Sequence, residues 1–256
     1  MKKPLFLVLL VAAVSLNAGA QVFDHLSLGA GTGLDGTSFE LASPLGNHVQ
    51  VRLGFGTAFG LGYTLKGDNG MYLPVHPQME DSPGASVPVK LSLARKDVRL
   101  LFNIYPSKRG GFHFTLGTYL GNGSFFKGVM MDMPDDYNSY GLEMGNRKIV
   151  AINNQIRAEL RAFGIGSPSF AVLPYAGIGF GRAVREDKRV TFSFDLGAAY
   201  QGKPSLWARS ARSDGSPEYF DVTDNDEIDL QEMIEEYGQY MNFWPTINFH
   251  LYVRLF

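Results

Sequence analysis

The most informative pattern in the chain is an alternation of apolar and polar residues with a period of two. It is longest in VTFSFDLGAAYQGKPSLWAR, residues 190–209, where the even positions from Val190 to Ala208 are mostly apolar and the odd positions include Thr191 and Asp195. Successive side chains of a β-strand point to opposite faces, so this segment predicts a strand with one apolar and one polar face. Its twenty residues exceed the usual strand length of about 5 or 6.

Shorter alternating segments lie at residues 48–56, 112–120 and 246–255. Alternation alone also fits a water-soluble sandwich whose two sheets bury their apolar faces against each other. Together with the turn residues between them, the alternating segments predict eight antiparallel strands. Their predicted bounds are 24–34, 37–43, 48–64, 87–105, 111–130, 170–184, 190–211 and 244–256.

The predicted connections come in two alternating sizes. Short turns are predicted at 44–48, 106–111 and 185–189, and long polar connections at 65–86, 131–169 and 212–242. Asp35-Gly36 predicts one further tight turn on the side of the long connections. Outer-membrane barrels have this asymmetry, with short periplasmic turns and longer extracellular loops. We therefore predict an all-β fold, a closed antiparallel transmembrane β-barrel of eight strands with both chain ends in the periplasm.

Aromatic residues cluster near the ends of the predicted strands and fit the girdles that flank the lipid-facing band of such a barrel. These residues are Tyr105, Tyr175, Trp207, Phe243, Trp244 and Phe256.

Two segments complicate the count of strands. In VKLSLARKDVRLLFNIYP, the apolar positions are odd through Leu93 but even from Val98, which predicts a bulge or break near 94–97. The segment NQIRAELRAF, residues 154–163, alternates but consists largely of good helix formers. It fits a strand extension above the membrane, a loop helix or half of an extra hairpin, so a barrel of ten strands stays open.

The two ends of the chain carry separate signals, one for export and one for closure of the barrel. Residues 1–20 have a basic start, an apolar stretch and a small-residue site ending at Ala20, which predicts a cleaved signal peptide followed by one barrel domain, 21–256. The apolar stretch has twelve residues and falls short of the roughly 20 that a membrane-spanning helix needs. The predicted last strand ends on Phe256, and an unpaired strand end would invite association, so we expect it to pair with the first strand.

Composition narrows the function. The mature chain carries 21 basic and 25 acidic residues, so no general attraction to nucleic acid is expected. The chain contains no cysteine, so it is held together without disulfides and without a lipid attached to cysteine.

Three stretches carry a family resemblance: VLPYAGIGFG at 172–181, FSFDLGAAYQGKP at 192–204 and GTSFELASPLGNHVQVRLGFG at 36–56. They resemble the OmpA/OmpW-like outer-membrane β-barrel proteins of Gram-negative bacteria. The resemblance implies insertion by the barrel assembly machinery, which reads the last strand, here with Tyr252 and Phe256 as the signal. It also implies periplasmic chaperones, outer-membrane lipid and lipopolysaccharide as partners, and a monomer. The apolar phase of the last strand falls on Leu251, Val253 and Leu255, one position out of step with Phe256.

The polar face of the predicted strands points into a narrow lumen. The residues predicted to line it are Glu40, Gln50, Arg52, Lys90, Arg99, His113, Asp195, Gln201, Lys203, Arg209, His250 and Arg254. An eight-stranded barrel is only wide enough for its own side chains or one small ligand. We therefore expect a paired polar network that fills the lumen, in a protein with a structural, surface-interaction or small-solute role. A gated, porin-like conduit for small solutes remains an alternative.

Motifs that would carry chemistry are weak. A lipid hydrolase or acyltransferase is the alternative function, but it needs a nucleophile beside a base, and the sequence shows no such pair at diagnostic spacing. The acidic segment DVTDNDEIDLQE, 221–232, lacks the glycine of a calcium loop and instead predicts a short acidic loop helix that Asp224 or Asp226 begins. We predict no catalytic residue, no metal and no cofactor. The surrounding segment 212–243 is expected to be a surface loop outside the strand pattern.

Overall fold

The computed structural model describes residues 24–58, 62–79, 81–144, 147–211, 216–222 and 240–256. The predicted signal peptide and nearly all of the predicted acidic helix lie outside these residues. The eighteen strands of the described residues are β1 Ser27–Gly33, β2 Gly36–Pro44, β3 Val49–Thr57, β4 Gly62–Leu65, β5 Met71–Pro74, β6 Gly84–Val87, β7 Val89–Leu93, β8 Lys96–Ile104, β9 His113–Gly121, β10 Ser124–Met130, β11 Leu142–Met144, β12 Arg147–Ile149, β13 Ile156–Arg161, β14 Ala171–Gly181, β15 Val190–Tyr200, β16 Ser205–Ala211, β17 Pro217–Asp221 and β18 Phe243–Arg254.

Eight of these strands close into an antiparallel barrel in the order β1-β18-β15-β14-β9-β8-β3-β2. The first and last strands close it, with Ser27 opposite Arg254 and Gly33 opposite Asn248. The prediction of an eight-stranded barrel is confirmed, and the ten-stranded alternative is wrong. The tight turn at Asp35-Gly36 is also present, and Gly36 adopts a φ of 100° that a side chain would strain.

A second sheet of six strands runs in the order β17-β16-β13-β10-β7-β4. Each of these strands precedes or follows one of the six barrel strands β18, β15, β14, β9, β8 and β3 along the chain, and the order is the same in both sheets. Four predicted strands, 48–64, 87–105, 111–130 and 190–211, are therefore each divided into a barrel strand and a strand of the second sheet. The segment 154–163 contains β13 of that sheet, Ile156–Arg161, which agrees with the extension alternative and not with a helix.

The divisions occur at local irregularities of the backbone. The predicted break near 94–97 is confirmed, because β7 ends at Leu93 and β8 begins at Lys96. Within the predicted strand 190–211, the N–H groups of Gln201 and Gly202 both donate to the carbonyl of Asn242, at 2.8 and 3.3 Å. Two donors on one acceptor interrupt the ladder there, as in a β-bulge.

The outer surface of the barrel is apolar. Its exposed large side chains include Phe39, Leu41, Leu53, Phe55, Val98, Phe114, Leu116, Ile178, Phe180, Phe192, Leu196, Phe249 and Leu251. In water such a continuous surface would drive aggregation, whereas in a bilayer it matches the hydrocarbon core. The described part of the chain holds no helix that is both long and apolar enough to cross a membrane.

The predicted aromatic girdle is only partly correct. Phe243 and Phe256 are exposed as expected, but Tyr105 and Tyr175 are 1% and 4% exposed and lie inside the barrel. Their positions in the alternation put both tyrosines on the inward face. Trp207 belongs to the second sheet rather than to the barrel.

The long connections have a hydrophobic core of their own. Buried residues from the second sheet and from the loops beside it make up this core: Val87, Met133, Tyr137, Ile149, Ala151, Ile156, Ala208, Phe220 and Val222. The hydroxyl of Tyr137 donates to the carbonyl of Pro74 at 2.9 Å and so ties the β5–β6 hairpin to this core. The expectation that 212–243 lies outside the strand pattern is wrong for β17, which pairs with β16 and contributes Phe220.

Candidate functional site: the barrel lumen

The barrel interior holds the largest concentration of buried polar groups in the described chain. Alternate residues of each barrel strand point inward, so the polar positions of the sequence pattern meet there. Among the described residues of the lumen, three arginines face four carboxylates and two histidines: Arg52, Arg95, Arg99, Asp35, Glu40, Asp97, Asp195, His113 and His250. Each of these residues is 4% exposed or less. Buried charges of this kind are stable only when they are paired.

Arg52 is at the centre of the middle layer of the lumen. Its Nε donates to Glu40 Oε2 at 2.8 Å and its Nη2 to Glu40 Oε1 at 3.2 Å. Its Nη1 donates to Asp195 Oδ2 at 2.9 Å. Such a fork-to-carboxylate pair is among the stronger polar contacts in proteins. One guanidinium therefore links strands β2, β3 and β15 across the barrel.

Two histidines complete this layer. His113 Nε2 lies 3.0 Å from Asp195 Oδ1, and its Nδ1 lies 3.1 Å from the carbonyl of Gly111. His250 Nε2 lies 3.3 Å from Glu40 Oε1, and its Nδ1 lies 3.4 Å from Asp195 Oδ2. Each carboxylate is thus shared between the arginine and at least one imidazole.

The lumen is closed toward the short turns by neutral side chains. The Gln50 Nε2 donates to the carbonyl of Val184 at 2.7 Å, and its Oε1 accepts from the Val184 N–H at 3.2 Å. The hydroxyl of Tyr105 donates to the same Oε1 at 3.1 Å. Tyr252 donates its hydroxyl to Glu40 and joins this end to the charged middle layer.

Toward the long connections the lumen holds a second charged layer. Arg99 Nε donates to Asp97 Oδ1 at 2.6 Å, and its Nη2 forms an ion pair with Asp35 Oδ2 at 2.8 Å. Arg95 Nε donates to Asp97 Oδ2 at 3.1 Å. The guanidinium of Arg99 lies 4.6 Å from the ring centre of Tyr119, so the cation also contacts an aromatic face.

The predicted lumen residues divide into those inside the barrel and those outside it. The structure brings together in the lumen Glu40, Gln50, Arg52, Arg99, His113, Asp195 and His250, and Gln201 is buried at its edge. The prediction is wrong for Lys90 and Arg209, because β7 and β16 belong to the second sheet. It is also wrong for Lys203, which is exposed in the break after β15. Arg254 lies at the end of β18 and donates to the carbonyls of Arg185 and Glu186 in a short turn.

The two residues predicted to form the assembly signal differ in burial, and Phe256 lies beyond the end of β18. Tyr252 is fully buried in the lumen, whereas Phe256 is 63% exposed. The recognition of this end by the assembly machinery stays a prediction.

Sequence reasoning missed most of the second charged layer. From the sequence, Asp35 predicts only a turn, and Arg95 and Asp97 predict only a break in a strand. The sequence does contain a signal for these residues. The break near 94–97 shifts the apolar–polar alternation by one position, so the odd-numbered residues from Arg95 onward point toward the lumen. Sequence separation hid the partners, since Arg99 and Asp35 are far apart along the chain.

One lumen contact resembles hydrolase chemistry. Ser38 Oγ lies 3.3 Å from His250 Nε2, and the other ring nitrogen faces Asp195, which is the order of a nucleophile, base and acid. However, Glu40 Oε1 competes for the same Nε2 at 3.3 Å, and Ser38 is only 2% exposed. The contact between Ser38 and His250 is therefore part of the buried polar network. Among the described residues, no group of three or more His, Asp or Glu side chains has a geometry suited to a metal ion.

A closed eight-stranded barrel with an apolar outer belt and a charged interior defines an integral β-barrel protein of the outer-membrane class. In a comparison with solved structures, the chain is similar to CarO2 of Acinetobacter baumannii, with 14% identity and a TM-score of 0.48 over 91% of this chain and 99% of that one. It is also similar to CarO of the same organism, with 14% identity and a TM-score of 0.41 over 89% and 96% of the two chains.

A third similar structure is a major outer membrane protein of Thermus thermophilus, with 13% identity and a TM-score of 0.43 over 90% of this chain and 98% of that one. No protein-family model matches the chain, and no curated protein matches it. The assignment to the outer-membrane class of β-barrel proteins therefore rests on the closed barrel, its apolar outer surface and its charged interior. The narrower OmpA/OmpW-like resemblance stays a prediction.

Proposed function

We propose that this protein is a structural and surface-interaction barrel of the outer membrane whose lumen is closed by its own side chains. The observation that carries the proposal is the pairing of Arg52 with Glu40 and Asp195 across the lumen. An eight-stranded barrel has room for its side chains and little else, so a network of this density favours a filled interior over a pore.

The second sheet supports a role in surface interaction. In the proposed orientation the short turns face the periplasm, and the second sheet with its core stands outside the cell. A folded unit at the end of a rigid barrel is the usual place for partner contacts. Lipopolysaccharide is the proposed neighbour at this level, and the assembly machinery and periplasmic chaperones are the proposed partners during insertion. The proposed functional unit is the monomer.

A lipid hydrolase is the less favoured alternative. It would need a nucleophile that the lipid can reach, and the serine that contacts His250 is buried in the lumen.

Conductance in planar bilayers tests the closed lumen. We expect the refolded wild-type protein to show no steady channel, because each charge of the middle layer is held by a partner across the barrel. Truncation of one side chain in each of the three layers, Gln50→Ala with Arg52→Ala and Arg99→Ala, should open a water path and give measurable steps, which also checks the sensitivity of the assay. Steady openings of the wild-type protein would instead support the small-solute conduit.

A further inference from the structure

A cleft of about 570 Å³ lies at the short-turn end of the barrel, at the opposite mouth from the second sheet. Its lining comes from the three short turns and from the residues just before β1, and includes His25, Asn47, Lys108, Arg109, Arg182 and Arg185. A cavity of this size falls within the range of about 300–1,000 Å³ that small-molecule sites occupy. The cleft is therefore large enough for a small ligand or a lipid headgroup.

The cations of this cleft are unequally neutralised. Arg185 is paired, with its Nη2 2.8 Å from Asp187 Oδ2, and this contact holds the pKa of Asp187 below its usual value. Arg182, by contrast, donates to main-chain carbonyls, those of Gly110 at 2.8 Å and Ser107 at 2.7 Å. These carbonyls accept from its Nε and Nη2, but they carry no net charge, and no carboxylate of the described residues forms an ion pair with Arg182.

Arg182 is also fixed in place by an aromatic ring. Its guanidinium carbon lies 4.0 Å from the ring centre of Tyr105, so the side chain is held before any ligand arrives. Burial lowers the pKa of Arg182, Tyr105 opposes this shift, and the nearby Arg185 adds a smaller lowering. A preorganised guanidinium loses little entropy on binding an anion.

Lys108 and Arg109 add two more cations from the β8–β9 turn. Both are exposed, and within the described residues neither forms an ion pair with a carboxylate. Glu186 and Asp187 are the carboxylates in the lining, and Asp187 is committed to Arg185. The cleft therefore keeps an excess of positive charge.

The floor of the cleft is closed. Gln50 is part of the lining, and its side chain is bonded to both main-chain groups of Val184. A ligand that enters from the short-turn side thus meets a blocked lumen. This geometry favours binding at the mouth over passage through the barrel.

We propose that this cleft, which we call the basic cleft, binds an oxyanion of the phosphate type. Guanidinium groups match the paired oxygens of phosphate, and lysine adds a mobile point charge. The anion has two sources with the same chemistry, a free phosphate compound or the headgroup of an anionic phospholipid in the adjacent leaflet. The proposal does not depend on the surface-interaction role proposed above.

The first arm of the test measures inorganic phosphate binding by calorimetry, with the mature protein folded in a zwitterionic detergent. The variant Lys108→Gln with Arg109→Gln removes two lining charges. The matched control, Lys188→Gln with Arg189→Gln, removes two charges from the same end of the barrel outside the lining. We expect the lining variant to weaken binding about tenfold or more and the control by less than about threefold, since each charge-assisted contact contributes roughly a factor of ten.

The second arm identifies the source of the anion. The same three proteins are placed in nanodiscs of phosphatidylcholine alone or with added phosphatidylglycerol, and bound phosphatidylglycerol is counted by native mass spectrometry. Retention of phosphatidylglycerol that the lining variant loses and the control keeps would assign a lipid headgroup. Phosphate binding without such retention would assign a free anion.

Unheated gels verify that all three proteins are folded, because a closed barrel runs faster than its heated form. The proposal is overturned if neither probe binds the wild-type protein. It is equally overturned if the lining variant and the control lose binding to the same extent, since that would indicate a diffuse charge effect rather than a site.

Discussion

At the residue scale, Arg52 illustrates how single side chains hold the barrel interior together. It is 1% exposed and bonds to two carboxylates that stand on different strands. Neither carboxylate could remain ionised in the lumen without a cation, because the loss of hydration would cost several kcal/mol per ion. A narrow barrel can therefore hold charged side chains in its interior only if ion pairs replace the hydration that these side chains lose.

Replacement of this arginine should be strongly destabilising. We expect Arg52→Ala to lower the free energy of unfolding by about 3–5 kcal/mol, since it leaves Glu40 and Asp195 buried and without their main partner. Urea unfolding in lipid vesicles, followed by tryptophan fluorescence, measures the change. The control is Arg185→Ala, whose pair with Asp187 has a similar contact distance but is largely exposed, so its loss should leave the free energy of unfolding nearly unchanged. Equal losses would refute the view that burial sets the effect.

The lipid-facing side is tested by a charge placed at mid-strand. Leu196 lies in the middle part of β15 with 44% of its surface exposed. We expect Leu196→Arg to cost about 2–4 kcal/mol in a bilayer, because the guanidinium would stand near the midplane. Val190→Arg, on the same face but at the strand end, should cost about 0–1 kcal/mol. The same unfolding assay compares them, and a Leu196 variant as stable as the wild type would show that this face is not in lipid.

At the scale of elements, the second sheet is an extension of the barrel wall with its own packing. Its strands follow the neighbour order of the barrel, but the core of Val87, Tyr137, Ile156 and Phe220 belongs to the long connections alone. Two cores separated by strand breaks should unfold separately, because few side chains belong to both.

A mutation in the second core tests this independence. We expect Phe220→Ala to expose the long connections to protease, because a truncated core phenylalanine leaves a cavity that costs about 3–5 kcal/mol. The barrel should nevertheless keep its heat-modifiable migration on gels. Tyr219→Ala, next to it on the opposite face and 41% exposed, should leave protease resistance nearly unchanged. Loss of the folded barrel in the Phe220 variant would mean that the two sheets form one cooperative unit.

At the scale of the whole molecule, closure of the barrel determines how the protein behaves in a bilayer and in detergent. The β1–β18 pairing leaves no free edge in the barrel, so every strand has two hydrogen-bonded neighbours. A structure of this kind satisfies its main chain inside the hydrocarbon region and resists detergent. The apolar belt outside and the paired charges inside are both consequences of the same two-residue period.

Cell fractionation tests whether the protein is a barrel of the outer membrane. We expect the protein in the outer-membrane fraction, with faster migration on unheated than on heated gels. A soluble periplasmic monomer would contradict it, since the apolar belt would then be exposed to water.

The sequence by itself determined the class of fold and the faces of its strands, because alternation is a local property that each strand carries in its own residues. It placed Glu40, Arg52, Asp195 and His250 on the inward face correctly. In the segment 190–211 it could not decide where the barrel strand ends, since Arg209 continues the pattern of Asp195 without a change of composition.

Only the tertiary structure decided that division and the choice of partners. At the bulge of Gln201 and Gly202 the chain leaves the barrel, and the residues that follow belong to the second sheet. The bulge forms where both N–H groups bond to the carbonyl of Asn242, about forty residues away in the sequence. The pairing of Arg52 with Asp195 joins residues 143 apart in the chain. Closure of the barrel brings such groups together, and burial then requires that their charges be matched.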